Sequence, residues 1–311
     1  MSGHGQRISV AMATYNGARF LGEQLDSIYG QTVPPDEVYV SDDCSSDGTA
    51  EILEAYARSH GLRYGINTGT LGFVRNFERA LAQTTGALVL LADQDDLWEP
   101  EKIEVLLAHR GSAEIVCSDS ALIDAHGRLL APSFRCHSAL EVPDSDQFHV
   151  LLYSNFVQGA TALVARSLLD RALPFPEGIF YHDWWLALVA ARRGPIRYVD
   201  RALHRYRLHG GNDTGAMDRS SLLRRTLSYL RRPSEDRVRD LRSRLRQVEV
   251  VAEHLALGDP QVLRAMAYMR AKLEGRRVRA TRIAISDRRY IYPDRRGKDL
   301  IASFVRDAFL D

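Results

Sequence analysis

Asp93-Gln94-Asp95-Asp96 follows directly on the apolar run at residues 87–92. Three carboxylates in so short a span repel one another, and a cation is the least costly way to hold them together. Hard oxygen donors with no cysteine or histidine nearby favour Mg2+ or Mn2+, and Mg2+ is usually held by one or two carboxylates together with substrate phosphates. A capped helix start ahead of Pro100 accounts for one of these Asp residues but not for three.

Two earlier segments have related chemistry. Thr14-Tyr15-Asn16-Gly17 combines a small polar residue, an aromatic ring and a glycine. At a strand-to-helix turn such a set can hold a flat ring and bring backbone N–H groups near a phosphate, or it can be an ordinary turn with an Asn helix cap. It is not a dinucleotide fingerprint, because G-x-G-x-x-G is absent from this turn. Residues 41–49, with Asp42, Asp43 and Asp47, are either a solvated loop or acceptors for a ribose or a base N–H.

The elements that must position these residues alternate. Apolar runs at 7–13, 37–41, 62–66 and 87–92 read as strands, and 19–30, 47–60, 73–83 and 100–110 read as helices. Residues 114–118 read as a further strand, 119–135 as a hairpin turning at 124–127, 158–164 as a strand and 183–191 as an apolar helix. Repeated strand–helix units predict an α/β fold, and ligands of such sheets lie beyond the carboxyl ends of the strands. All three polar segments fall there. After Gly215 the pattern becomes Arg- and Leu-rich and helical, over 220–257 and 261–277, with one strand signal at 281–285.

At 311 residues, with 45% apolar and 26% charged residues, disordered and fibrous classes are excluded. No apolar stretch approaches the roughly 20 residues of a membrane-spanning helix. Three cysteines provide no disulfide framework and no paired zinc spacing, so a reducing cytoplasmic setting is expected. The formal charge of +1 hides an asymmetry. Residues 1–215 hold 18 bases against 27 acids, a net of −9, and residues 216–311 hold 23 against 13, a net of +10. A body at 1–215 and a basic, mainly helical domain at 216–311 are therefore expected.

The order ATYNG, SDDCSSDGT, NTGTLGFVRNFERAL and LADQDDLWEPEKI resembles the N-terminal half of family-2 nucleotide-sugar glycosyltransferases. The resemblance implies a GT-A fold, a Rossmann-like and mostly parallel sheet flanked by helices, here with a C-terminal helical extension. It implies donor-nucleotide contacts from Thr14, Tyr15, Asn16, Asp43, Arg75 and Asp93, with a Mg2+ or Mn2+ ion on Asp95. Gln158-Gly159-Ala160-Thr161 is similar to the segment that lines the acceptor side, which places Gly159 there. Tyr181-His182-Asp183-Trp184-Trp185 stands where most members show Glu-Asp, and this leaves Asp183 in the position of the catalytic base. The departure at His182 leaves its role open between tuning Asp183, touching acceptor and pointing away.

Tyr206-Arg207-Leu208-His209-Gly210-Gly211-Asn212 resembles a segment of rhamnosyltransferase-like members. His209 would complete the metal shell, meet the diphosphate or cap structure. The resemblance spans residues 8–215 and points to inverting transfer of L-rhamnose from dTDP-rhamnose. The acceptor would be a hydroxyl of a bacterial cell-surface glycan or lipid-linked oligosaccharide. UDP-galactose, UDP-glucose and UDP-N-acetylhexosamine remain alternative donors, and a non-catalytic nucleotide-binding subunit is the alternative of another class. Trp184 and Trp185 either offer aromatic faces to a sugar ring or belong to the core.

The basic tail has three readings: helices packing on the acidic body, peripheral attachment to anionic lipid at the inner face of the membrane, or a homodimer interface. Nucleic acid is disfavoured, because few aromatics interleave with the basic residues.

Overall fold

The computed structural model describes residues 5–138, 140–209 and 234–291. Residues 220–233 of the expected helix and the segment 210–212 lie outside the described residues. The chain divides into two compact units that interleave along the sequence. One comprises Met1–Phe134, Val157–Phe175 and Gly194–Gly215, and the other Arg135–Phe156, Pro176–Arg193 and Ala216–Asp311.

The first unit is an α/β sandwich of GT-A type. Among the described residues its sheet has nine strands: β1 (Ile8–Thr14), β2 (Glu37–Asp42), β3 (Arg63–Ile66), β4 (Leu88–Ala92), β5 (Leu97–Trp98), β6 (Ile115–Asp124), β7 (Leu129–Ala131), β8 (Ala162–Ala165) and β9 (Arg197–Leu208). The order is β3-β2-β1-β4-β8-β6-β9-β5, with β7 paired to β6. β3, β2, β1 and β4 run parallel, as βαβ units require. Beyond β4 the sheet is mixed: β8 is antiparallel to β4 and β6, while β9 is parallel to β6 and antiparallel to β5.

β1 and β4 are apolar almost throughout because helices cover both faces. Helix α1 (Leu21–Tyr29) buries Leu21, Leu25 and Ile28, and α3 (Phe73–Ala82) buries Phe77, Ala80 and Leu81, each a 3.6-period stripe. Between them lies α2 (Thr49–His60); α4 (Lys102–Arg110) follows β5 and buries Ile103 and Leu106. Ile8, Val10, Met12, Leu25, Val40, Leu90 and Leu163 belong to one core.

The second unit is helical: α5 (Phe134–Ser138) leads into it, followed by α6 (Gln147–Leu151). Helix α7 (Arg166–Ala172) lies in the first unit, and α8 (His182–Ala191) returns to the second. The tail contributes α9 (Ser234–His254), α10 (Pro260–Leu273), α11 (Arg277–Ser286) and α12 (Arg288–Ile291). The Asp259 side chain caps α10, accepting from the Gln261 and Val262 N–H groups.

Three readings need correction. Residues 281–285 form helix, not strand. The alternating Thr281, Ile283 and Ile285 suggest a strand, but the buried pair is Ala280 and Ala284, four apart, which is the spacing of a packed helix face. Residues 158–164 begin as a 3-10 turn, Gly159–Thr161, and only then become β8. The twelve-residue β9 has no counterpart among the expected strands, because its charged residues mask the pattern of a sheet interior.

Candidate active site

The turn after β1 is held from two sides. The Tyr15 N–H donates to Gln94 Oε1 at 2.8 Å, and Gln94 Nε2 donates back to the Tyr15 carbonyl at 3.0 Å. Gly17 permits this closure, since a Cβ there would lie 2.3 Å from Gln94 Oε1. Asn16 adopts φ +48°, its N–H donating to Ser45 Oγ and its Oδ1 accepting from the Ser46 N–H. Thr14 is buried and donates to Asp42 Oδ1 at 2.8 Å, while the Tyr15 ring is half exposed. The turns after β1, β2 and β4 thus form one hydrogen-bonded unit.

Asp43 is buried, and its carboxylate accepts from Asn67 Nδ2, the Leu71 N–H and the Gly72 N–H at 2.7–2.8 Å. It therefore fastens the loop before α3, and an acceptor lone pair is left over among the four of a carboxylate. Asn76 of α3 donates to the Thr14 carbonyl and accepts from Asn67. Arg75 donates through Nη1 to Glu78 and to the Phe175 carbonyl.

Asp93 and Asp95 are partly buried at the carboxyl end of β4. The Asp95 Oδ2 lies 2.7 Å from His209 Nε2, and burial, with Asp96 beside it, pushes the Asp95 carboxyl up to about 6. His209 follows the end of β9, and its ring centroid stands 4.9 Å from that of Phe20.

Beneath this loop is a charged cluster that pattern reading missed. Asp96 is fully buried; its Oδ1 accepts from the Arg207 N–H at 2.9 Å, and its Oδ2 lies 2.9 Å from His204 Nε2. Buried Arg207 donates through Nε to the Asp95 carbonyl at 2.8 Å and through Nη2 to Glu23 at 2.7 Å. Lys102 is fully buried; Nζ donates to the Ala160 carbonyl at 2.5 Å and lies 3.8 Å from the Trp98 ring centroid. Burial pushes Lys102 and His204 below their ordinary values, with Asp96 opposing both shifts. One signal was available: Lys102 is one of three lysines in a chain with 38 arginines. Gly159 is buried in the 3-10 turn next to Ala160.

The other expected residues belong to the second unit. Asp183 is in the first turn of α8, its Oδ1 accepting from the Trp184 N–H at 2.6 Å and from Asn155 Nδ2 at 3.3 Å. Trp184 and Trp185 are only 3% and 2% exposed, so of the two readings they belong to the core and do not offer faces to a sugar. Trp184 Nε1 donates to the Leu151 carbonyl at 2.6 Å, and Trp185 meets His254 edge-on. His182 is buried and pushed down to about 3, so its imidazole is neutral and part of the core.

The sequence profile described as glycosyl transferase family 2 matches residues 9–166, just over half of the chain. The chain belongs to glycosyl transferase family 2. Members of this family with a GT-A fold are inverting enzymes, and this chain is one of them. It is 28% identical over 219 residues to dTDP-rhamnosyl transferase RfbG of Shigella flexneri, covering 66% of this chain and 74% of that protein. It is 30% identical over 197 residues to cholesterol galactosyltransferase of Borreliella burgdorferi, covering 58% of this chain and 54% of that one.

Among solved structures, Staphylococcus aureus TarS 1–349 in complex with UDP-GlcNAc superposes with a TM-score of 0.57 at 18% identity, over 97% of this chain and 81% of that one. The mannosyltransferase PcManGT from Pyrobaculum calidifontis, in complex with GDP-Man and Mn2+, gives 0.54 at 19% identity, over 100% and 90%. These likenesses show the fold of this glycosyltransferase.

The donor set suits a divalent ion. Among the described residues no group of three or more His, Cys, Asp or Glu side chains forms a closed metal cage. One carboxylate and one imidazole 2.7 Å apart leave the remaining positions to oxygens of a diphosphate. A carboxyl raised by burial and by a neighbouring carboxylate is one that a cation would ionise. Asp95 and His209 are the residues of this glycosyltransferase that would hold the ion.

Proposed function

We propose that this enzyme moves L-rhamnose from dTDP-rhamnose onto a hydroxyl of a bacterial cell-surface glycan or lipid-linked oligosaccharide. The observation that carries the donor-site reading is the pairing of Asp95 with His209, residues 114 apart in sequence, at the carboxyl end of β4. The rhamnosyl reading draws support from the similarity to the Shigella flexneri dTDP-rhamnosyl transferase. Galactosyl, N-acetylglucosaminyl and mannosyl relatives keep UDP- and GDP-linked donors as the competing readings.

In this reading Tyr15 and Thr14 border the base, Asp93 meets the ribose, and Asp95 with His209 would hold Mg2+ or Mn2+. When bound, such an ion would supply positive charge to offset that of the departing nucleoside diphosphate. Asp183 accepts the proton of the acceptor hydroxyl as that oxygen attacks the anomeric carbon, so the configuration inverts. A thermal-shift panel of thymidine, uridine and guanosine diphosphates with and without Mn2+ tests donor and metal together. Stabilisation by dTDP plus Mn2+ above the other pairs is the expected result, and preference for UDP or GDP removes rhamnose.

No described helix is long and apolar enough to cross a membrane. The lipid-linked acceptor is consistent with the exposed Arg276, Arg277, Arg279 and Arg282 on and before α11, which flank exposed Val278. Within this reading that face rests on an anionic lipid surface, each basic residue adding about 1 kcal/mol.

A further inference from the structure

The chain on both sides of Asp183 is held by one stretch of the C-terminal helix α9. Gln247 is fully buried there, and its Oε1 accepts from the Phe180 N–H at 2.6 Å. Three residues earlier on the same face, Arg244 donates through Nη1 to the Tyr153 carbonyl at 3.2 Å. Its guanidinium carbon stands 5.8 Å from the Trp184 ring centroid. Between these two, Arg246 runs past Gly178 (φ +90°) so closely that a Cβ on Gly178 would meet its Nε at 2.6 Å.

Asp183 depends on these segments. Its Oδ1 is fixed by the Trp184 N–H on one side and by Asn155 Nδ2 on the other. Asn155 lies two residues beyond Tyr153, whose carbonyl Arg244 holds. Trp184 carries the ring beneath Arg244, and Phe180, three residues before Asp183, is tied to Gln247. The segments that carry Asn155, Trp184 and Phe180 are therefore anchored on α9.

We infer that Arg244 and Gln247 are positioning residues for Asp183, which makes the C-terminal helix α9 part of the catalytic apparatus. The inference rests on the reading of Asp183 as the base. A general base must lie within hydrogen-bond reach of its proton, and a displacement of about 1 Å can cost roughly 100-fold.

The test uses the full chain with Gln247→Leu, which removes the acceptor of the Phe180 N–H, and Arg244→Met, which keeps the aliphatic stem. Leu257→Ala, at an exposed position, is the control. Hydrogen exchange at residues 178–186 reports the Asp183 carboxylate directly, because the Trp184 N–H donates to it. Both variants are expected to speed exchange of that segment roughly tenfold while β1 and β4 keep their protection.

Turnover is read as nucleoside diphosphate released to water from dTDP-rhamnose, UDP-galactose, UDP-glucose, UDP-GlcNAc or GDP-mannose, using the donor the wild type consumes fastest. A kcat lowered roughly 10- to 100-fold with the donor KM within about twofold is expected. Unchanged exchange of 178–186 in both variants, or exchange raised equally throughout the chain, overturns the inference, as does wild-type kcat. Asp183→Asn in parallel separates the two ideas. Wild-type turnover in Asp183→Asn removes the base itself, whereas loss there with full turnover in the α9 variants removes only the positioning role.

Discussion

His209 Nε2 and Asp95 Oδ2 stand 2.7 Å apart, joining the end of β9 to the loop that follows β4. The contact joins an acid of the Asp93–Asp96 segment to the His209 segment of the sequence. Arg207 reinforces it from two residues away by donating to the Asp95 carbonyl. Side chain and backbone of the same aspartate are thus held by the same strand end.

Asp95→Ala is expected to abolish the Mn2+ dependence of nucleoside diphosphate binding in calorimetry. His209→Ala should weaken the Mn2+-dependent component by at least the roughly 10- to 100-fold seen when a ligand's partner is removed. Equal binding with and without Mn2+ in the wild type would sink both assignments.

Asp183→Asn keeps shape and removes the basic oxygen. Turnover should fall by roughly two to four powers of ten, with nucleotide affinity nearly unchanged. Near-full transfer activity in this variant excludes Asp183 as the base.

Gly17→Ala would press on Gln94, the flexible partner of Tyr15, without touching the sheet. Losing the two reciprocal hydrogen bonds should weaken nucleoside diphosphate binding roughly tenfold, the equivalent of about 1.4 kcal/mol. The thermal midpoint of the free protein should move little. Unchanged affinity would show that the Tyr15–Gln94 clamp does not shape the donor site.

His182 titrates near 6.5 when unfolded and about 3 when folded. Between those values the unfolded chain binds a proton that the folded chain lacks, so stability is complete above 6.5 and declines as pH falls towards 3. The slope approaches 1.4 kcal/mol per pH unit. Wild type should therefore lose about 2 kcal/mol more than His182→Leu between pH 6.5 and 5 in urea melts. His204 shifts in the same direction and contributes equally to both proteins. Parallel pH profiles would mean that His182 is solvated in the fold.

Sedimentation with vesicles containing about one-third anionic lipid should pellet the wild type, and replacing Arg277, Arg279 and Arg282 with Gln should release it. Binding that is indifferent to these changes removes the lipid reading of α11.

β1, β2 and β4 were legible because strands covered on both faces are continuous apolar runs. So were the polar turns that follow them, since chemistry in such sheets gathers at the carboxyl ends. β9 was not legible: Arg207 and His204 are buried because Asp96, the Asp95 carbonyl and Glu23 compensate them, and no local pattern announces partners so remote in the chain. Trp184 and Trp185 stayed between two readings for a related reason. An aromatic pair beside a candidate base suits a sugar or a core equally well, and only burial decides.

Strand order has a further consequence for how the protein comes into being. Among the described residues β9 is the last strand, yet it lies inside the sheet, between β6 and β5. Until residue 209 has been made, β5 lacks its partner and the Asp93–Asp96 loop lacks Arg207 and His209. The strand that closes the sheet is therefore also the one that ties down the Asp93–Asp96 loop, in a single event.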